Sequence, residues 1–258
     1  MRIIHYTTLE IGLIHIVQTM KLRFGPISST NDPHEYKKRT VGFSADIRSI
    51  RGNKNLTESV LSYIEKAKGR IKIGSFVGEL NHDWKEGKGI RKPRMWAQYG
   101  GSQAGMAFVF DKNLFIEECR KRVVDKWAVH GGKVSYPKNS DLYSSSPSMV
   151  SFKDTEDINE LSIAKKIFEN AKKHWYKKHQ DWRDEDEFRI TIYTKSPQFE
   201  FINIASSLEA IVLGDKAGKA ILKMLSNYFN NQGVEIYKMD YDSHYNKYNC
   251  LHLSELNR

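Results

Sequence analysis

The chain has 258 residues, of which 40% are hydrophobic and 12% aromatic, and this composition excludes an intrinsically disordered protein. A formal net charge of +10 at pH 7 favours polyanionic partners, because their condensed counterions are released on binding, but it does not identify one. The two cysteines, Cys119 and Cys250, form no C-x-x-C pair, so we expect a reducing compartment and no disulfide framework.

The N-terminal segment does not have the properties of a targeting sequence. Its apolar stretch up to Val17 is interrupted by His5, Glu10 and His15, and it lacks a basic flank and a small-residue cleavage site. No run of uncharged residues is long enough to cross a bilayer. We therefore expect a cytoplasmic protein with no membrane partner. We also expect a single α+β domain over residues 1–258.

Hydrophobic spacing and turn residues predict the elements in the first half of the chain. Thr7 and Glu10 have the spacing of a capping box, which predicts a helix running to about Met20. Gly131-Gly132 predicts the turn of a hairpin between Val123–Val129 and Lys133–Tyr136. The other predicted elements are strands at Arg2–Tyr6, Lys21–Phe24 and Gly105–Phe110 and a helix at Asn55–Lys68.

The second half begins with a loop-like segment at residues 137–156, rich in Ser, Pro, Asp and Asn. Leu161, Ala164 and Phe168 then recur at helical spacing, which predicts a long helix from about Glu156 to Lys178. The remaining predicted elements are strands at Glu187–Tyr193, Phe199–Ile204, Ile211–Gly214 and Val234–Met239 and a helix at Ala217–Phe229.

Most familiar catalytic patterns are absent from the sequence. It contains no P-loop, no dinucleotide-binding fingerprint and no nucleophile elbow, and no H-x-x-x-H or cysteine pair suggests a zinc site. Three segments remain as candidates: His5-Tyr6-Thr7; Asn31-Asp32-Pro33 with Met95–Gly100; and Trp182–Arg189.

These segments resemble, in order, the motifs of a bacterial family of unknown function within the ADP-ribosyltransferase superfamily. The family pattern is H-Y-T before a helix, N-D-P-x-E, M-W-x-x-Y with a later Gly, and W-x-x-E-x-E-[YF]-R, and the likeness runs from about residue 2 to residue 240. The opening segment is also similar to the start of DNA-modifying ADP-ribosyltransferase toxins. The resemblance implies two small facing sheets with surrounding helices, and helical insertions near residues 44–92 and 137–180.

The resemblance also implies that the chain cleaves NAD and transfers ADP-ribose to an acceptor. Glu187 corresponds to the catalytic glutamate and Glu185 to its companion. Because residues two apart on a strand share a face, both carboxylates are expected to point into one cleft. A carboxylate that binds the ribose 2′-hydroxyl stabilises the positive charge that develops as nicotinamide leaves, and this needs no metal.

The implied NAD-binding residues come from several segments. His5 corresponds to the histidine that hydrogen-bonds the adenosine ribose, with Thr7 nearby. Tyr99 is the candidate for stacking on nicotinamide, with Tyr6 and Tyr36 as competitors. The remaining members of the set are Arg23 and Arg189, which could bind the diphosphate, and Asn31.

Basic residues beside aromatic side chains suggest a nucleic-acid acceptor, DNA or RNA, since bases stack while phosphates pair with cations. The candidates are Lys92, Arg94, Lys173, Lys177, Lys178 and Arg183. Relatives of the family suggest a toxin or phage-defence role, with an antitoxin or inhibitor partner.

Less specific interpretations stay open for each feature. Without the resemblance, His5 is a structural histidine, the acidic run before Glu187 is a solvated turn, and Asn31-Asp32-Pro33 is a helix cap. The basic segments are then solvated helix faces. Two other functions also remain: an NAD glycohydrolase, in which water replaces the acceptor, and a non-catalytic nucleic-acid-binding protein.

Overall fold

The computed structural model describes residues 1–30, 41–45, 54–80, 83–138, 148–152, 158–170, 175–245 and 247–255. The strands are β1 (Arg2–Thr7), β2 (Lys21–Pro26), β3 (Val41–Ala45), β4 (Ile71–Glu79), β5 (Met106–Asp111), β6 (Val129–Lys133), β7 (Ser148–Phe152), β8 (Glu187–Tyr193), β9 (Glu200–Asn203), β10 (Leu208–Leu213), β11 (Glu235–Asp242) and β12 (Lys247–His252). The helices are a π-helix (Ile11–Val17), α1 (Lys54–Arg70), α2 (Pro93–Gln98), α3 (Lys112–Arg120), α4 (Glu160–Glu169) and α5 (Lys219–Tyr228), with a 3-10 turn at Gln180–Glu185.

The described strands form a mixed α+β fold around one ten-stranded sheet, and β3 and β7 form a separate parallel pair. Within the large sheet β10 and β11 are parallel and the other pairings are antiparallel. The α+β class is therefore confirmed. In place of the expected pair of facing sheets, the hydrogen bonds join these strands into a single branched sheet.

The sheet branches at β4. One edge of β4 pairs with β8 along Ile71–Val77. The other edge pairs first with β1, up to Val77 opposite Ile4, and then with β2, at Ile73 opposite Gly25. Residues 74–76 of β4 therefore face a gap between β1 and β2, and a sheet with such a gap can hold a cavity between two of its strands.

Alternation along β8 divides its side chains between the two faces of the sheet. Phe188, Ile190 and Ile192 enter the largest apolar cluster, whereas Tyr193 enters a second cluster that also contains helices α1 and α4. Glu187 and Arg189 share the face of Tyr193, so this charged pair lies on the side of the sheet that faces the second cluster.

Several predicted elements agree with the structure. Strand β8 has the predicted bounds, and β1, β2, β5, α1 and α5 differ from prediction by only a few residues at their ends. Strand β4 falls inside the insertion predicted at 44–92, so that part of the segment belongs to the central sheet. Among the described residues, no helix is long and apolar enough to traverse a bilayer.

The capping box predicted at Thr7 and Glu10 is wrong. Thr7 is the last residue of β1, opposite Met106 of β5, so its side chain is not at the start of the helix. The hydroxyl of Thr8 instead accepts a bond from the backbone N–H of Ile11, at 3.4 Å.

The hairpin predicted about Gly131-Gly132 is also wrong, because both glycines lie within β6 and pair with β8. A Cβ added at Gly131 would lie 3.3 Å from the Phe188 ring, and one at Gly132 would lie 3.3 Å from the Tyr176 ring. Glycine here makes room for two aromatic rings.

The long helix predicted to Lys178 ends much earlier. Helix α4 stops at Glu169 with Asn170 as its C-cap. Further along, Ser135 forms backbone hydrogen bonds with both Tyr176 and Lys178, so this stretch is held against the segment after β6. Competition from these tertiary hydrogen bonds overrides the helical spacing.

Candidate active site

A cavity of about 220 Å³ lies at the gap between β1 and β2. Its polar lining includes His5, Tyr99, Glu185 and Glu187, which come from three of the four motif segments. His5 follows Ile4, the last residue of β1 that pairs with β4, so alternation places His5 and Glu187 on opposite faces of the sheet. The gap is what allows both side chains to line one cavity.

Two buried glutamates and two buried cations form the polar wall of this cavity, and all four residues are at most 5% exposed. Arg189 donates from Nε to Glu187 Oε1 at 2.6 Å and from Nη2 to Glu187 Oε2 at 2.9 Å. Lys178 Nζ lies 2.6 Å from Glu185 Oε2 and 3.2 Å from Glu187 Oε2. The four charges balance, which makes their burial tolerable.

The ionisation of this cluster follows from its charge pairs. Burial by itself would raise the pKa of Glu187, but the charges of Arg189 and Lys178 outweigh it and lower that pKa to about 2. Burial would likewise lower the pKa of Lys178, yet Glu187 and Glu185 raise it overall. Glu187 is therefore a carboxylate and Lys178 an ammonium at neutral pH.

Glu185 and Glu187 converge for a different reason from the one predicted. Glu185 ends the 3-10 turn Gln180–Glu185 and is not on the strand, so alternation along β8 does not apply to it. Asp186 adopts the left-handed conformation, with φ of 48° and ψ of 49°, and this reverses the backbone between the two glutamates. Both glutamates line one cavity, as predicted. The ammonium of Lys178 lies within ion-pair distance of both carboxylates.

Ser75 of β4 connects the histidine side of the cavity to the carboxylate side. Its carbonyl oxygen lies 3.0 Å from His5 Nδ1, and its hydroxyl donates to Glu187. Because a carbonyl only accepts, His5 Nδ1 carries the proton, and burial lowers the pKa of His5, so the ring is neutral with Nε2 as an acceptor.

The other predicted NAD-binding residues differ in their position relative to the cavity. Tyr99 lines the cavity, and its phenol donates to Glu185 Oε1 at 2.5 Å. Tyr6 also lines it, but its hydroxyl donates to the Gly89 carbonyl and its ring packs edge-on against Trp96. Thr7 and Arg23 lie outside the lining. Asn31 and Tyr36 lie outside the described residues.

The predicted nucleic-acid-binding residues are not one basic surface. Lys178 belongs to the buried cluster described above. Arg94 Nη1 lies 3.3 Å from Asp184 and the more exposed Arg183 3.8 Å from the same carboxylate. Lys92 lies 3.6 Å from Asp186, and burial lowers its pKa. Lys177 is partly buried, and Lys173 lies outside the described residues.

Sequence reasoning missed several residues of the site. Ser75 was overlooked because β4 was not predicted as a strand. Tyr136, whose hydroxyl accepts the backbone N–H of Glu187 at 2.8 Å, lies in a segment predicted as one arm of the hairpin. The carbonyl of Trp175 accepts from Arg189 Nη1 at 2.7 Å, and the predicted helix concealed this contact. The apolar run I-K-I-G-S-F-V of β4 was the one signal that could have identified Ser75.

Residues 95–190 match the model of a family described as "Protein of unknown function (DUF2971)". The match covers less than half of the chain but includes Tyr99, Lys178, Glu185, Glu187 and Arg189 of the cavity. The chain is thus similar to a family of unknown function over this part, as the sequence predicted in general terms. No curated protein and no solved structure gives a significant match to the chain.

Proposed function

We propose that this chain is an ADP-ribosyltransferase that cleaves NAD and transfers ADP-ribose to a nucleic-acid acceptor. One observation carries the proposal: His5, Tyr99 and the pair Glu185 and Glu187, which are far apart in sequence, line one cavity. A toxin or phage-defence role with an inhibitor partner, and an ADP-ribosyltransferase-like fold, belong to the same proposal and rest on the resemblance of the motifs.

The cavity fits part of the NAD molecule. Sites for drug-sized ligands have volumes of about 300–1,000 Å³, so a cavity of about 220 Å³ suits the nicotinamide and its ribose, with the rest of the dinucleotide extending towards solvent. Tyr99 offers an aromatic ring, and His5 Nε2 and the Ser75 hydroxyl offer polar contacts to a sugar. Ile73, Phe76 and Met95 supply an apolar wall.

The nicotinamide ring of NAD is cationic while it is bonded to the ribose. Its glycosidic C–N bond breaks with the electron pair going to the ring nitrogen, so nicotinamide departs neutral and positive charge develops on the sugar. The acceptor forms the new bond to the ribose carbon and releases a proton to solvent. Glu187, held ionised by Arg189 and Lys178, is placed to hold a ribose hydroxyl and to stabilise positive charge on the sugar.

Glu187 has limited free capacity for this task. A carboxylate accepts about four hydrogen bonds, and here Arg189 supplies two, the Ser75 hydroxyl supplies one, and the Lys178 ammonium forms an ion pair with Oε2 at 3.2 Å. A substrate hydroxyl therefore competes with these groups for the carboxylate oxygens. Ser75 is the exposed one, and its hydroxyl is the donor most easily exchanged for that of a sugar.

The test is incubation of the protein with NAD labelled in the adenylate, together with separate pools of DNA, RNA and protein. The Glu187→Gln variant keeps the size of the side chain and removes its charge. We expect label in a nucleic-acid pool with the wild type and a loss of roughly 100-fold or more with the variant, because a preorganised charge at the reacting centre typically contributes that much.

The matched control is Glu79→Gln. Glu79 is also buried and accepts the backbone N–H of Gly89 at 2.7 Å, but it lies outside the cavity lining. If this variant loses stability like Glu187→Gln but keeps the transferase activity, the role of Glu187 is chemical. Free nicotinamide without a labelled pool would instead identify an NAD glycohydrolase, and intact NAD in every reaction would contradict the proposal.

A further inference from the structure

The exposed face of the β2–β9 ribbon carries an alternation of cations and aromatic rings. Arg23 of β2 lies directly opposite Phe201 of β9, and Lys21 lies opposite Asn203, so these four side chains share one face. Phe199, two residues before Phe201, is on the same side. Phe199 and Phe201 are 44% and 47% exposed, although phenylalanine side chains are usually buried.

This face also contains a groove of about 260 Å³, lined by Pro26, Pro197, Gln198, Phe199 and Phe201. The Arg23 guanidinium lies 4.6 Å from the centre of the Phe199 ring, which holds the cation against the aromatic surface. Among the described residues, neither Lys21 nor Arg23 forms an ion pair with a carboxylate. Glu200, the acidic residue of β9, lies opposite the buried Phe24 and so on the other face.

We propose that this ribbon is a binding platform for single-stranded nucleic acid. An unpaired base stacks on Phe199 or Phe201 in the groove, and the phosphates on either side pair with Lys21 and Arg23. Exposed cations beside exposed aromatic rings are the complement of a chain that alternates phosphates and bases. The net charge of +10 acts in the same direction. A base in a duplex is covered by its neighbours, so the platform selects single strands.

The platform adjoins the proposed catalytic cavity. Pro26 lines both the groove and the cavity, and Ser29 and Thr30, shortly after β2, line the cavity as well. A strand bound on the ribbon is therefore brought next to the place where ADP-ribose is released. This inference deepens the proposed function by naming its acceptor as single-stranded, and it rests on that function for its biological meaning.

The test measures fluorescence anisotropy of a short labelled single-stranded oligonucleotide of mixed sequence, in DNA and RNA forms, without NAD. We expect Phe201→Ala to weaken binding about 5- to 150-fold, because that is the contribution of stacking one base on an aromatic ring. Arg23→Gln should lower the slope of log K against log salt concentration by about 0.7, since one phosphate contact is lost. Phe201→Ala should leave this slope unchanged.

Tyr245→Ala is the matched control. Tyr245 is 69% exposed with Lys247 Nζ 5.3 Å from its ring centre, at the β12 end of the sheet, far along the strand order from β9. It should bind the oligonucleotide like the wild type. Equal weakening by Tyr245→Ala, unchanged binding by Phe201→Ala, or equally tight binding of duplex DNA would overturn the platform. Self-association that Phe201→Ala abolishes would do so as well, and would identify the ribbon as a protein interface.

The two proposals fail in different ways. A protein that leaves NAD intact but binds single strands through Phe201 contradicts the reaction and supports the platform. A protein that labels nucleic acid while its binding does not depend on Phe201 or Arg23 supports the reaction and contradicts the platform.

Discussion

The cavity wall and the β2–β9 ribbon use cations in opposite ways. In the wall, Lys178 and Arg189 are buried, and two glutamates balance their charges within hydrogen-bonding distance. On the ribbon, Lys21 and Arg23 are exposed, and the guanidinium of Arg23 lies over the ring of Phe199. Buried charges must be neutralised locally because water cannot solvate them, whereas exposed charges remain available to a ligand.

Because their charges are used differently, the two regions are suited to different ligands. The wall is fixed by its own charge pairs, so it can orient a small substrate but has little charge left to attract a large one. The exposed face of the ribbon offers charge and aromatic surface to a partner, whereas its other face packs Leu22, Phe24 and Ile202 into the largest apolar cluster. Variants in the two regions should therefore affect stability very differently.

The largest expected effect on stability is that of Arg189→Met. Removing this cation leaves Glu187 buried with one fewer partner, which should lower the free energy of unfolding by about 3–5 kcal/mol. The matched substitution on the ribbon, Arg23→Gln, should change it by less than about 0.5 kcal/mol, since the side chain is exposed. Urea unfolding measures both.

A double variant tests the physical reason. Adding Glu187→Gln to Arg189→Met removes the unbalanced charge, so the double variant should be more stable than the sum of the two single losses predicts. If the losses simply add, or if Arg23→Gln costs as much as Arg189→Met, the contrast between the two regions is not electrostatic.

The second-largest effect on stability is expected from acid, which should weaken the charge pairs of Glu187 in the cavity wall. The pKa of Glu187 is lowered from its ordinary value of 4.5 to about 2 in the folded chain, so its ionised form favours folding above pH 4.5. That contribution is lost as the pH falls from 4.5 towards 2, and it amounts to on the order of 3 kcal/mol. Unfolding curves measured across this range should show the loss in the wild type, and it should be smaller in Glu187→Gln. Asp184→Asn, an exposed carboxylate of the preceding turn, serves as the control and should retain the full dependence.

A smaller difference in stability is expected from the backbone that brings the two glutamates together. Asp186→Ala should be about 1 kcal/mol less stable than Asp186→Gly, because alanine pays a steric cost in the left-handed conformation and glycine does not. Both variants lose the pairing with Lys92, so this difference isolates the backbone. Equal unfolding free energies in urea would show that Asp186 can leave this conformation without cost.

Strand β4 illustrates why part of the fold was not predictable from local sequence. Lys72 interrupts its apolar run, yet it is fully buried because its ammonium donates to the carbonyls of Gly69 and Pro197. Gly74 weakens the strand pattern, but a Cβ there would lie 2.3 Å from the ring of Phe24. Both residues reduce the propensity for a strand, and distant neighbours reverse their effect.

The sequence by itself determined the α+β class, the bounds of β8, and the candidate set of His5, Tyr99, Glu185 and Glu187, because composition, periodicity and motif order are local properties. Only the tertiary structure decided the branch at β4, the placing of Lys178 between two glutamates and the exposure of Phe199 and Phe201. Each of these depends on contacts between segments far apart in the chain, and their energies are set by burial and pairing that no local pattern encodes.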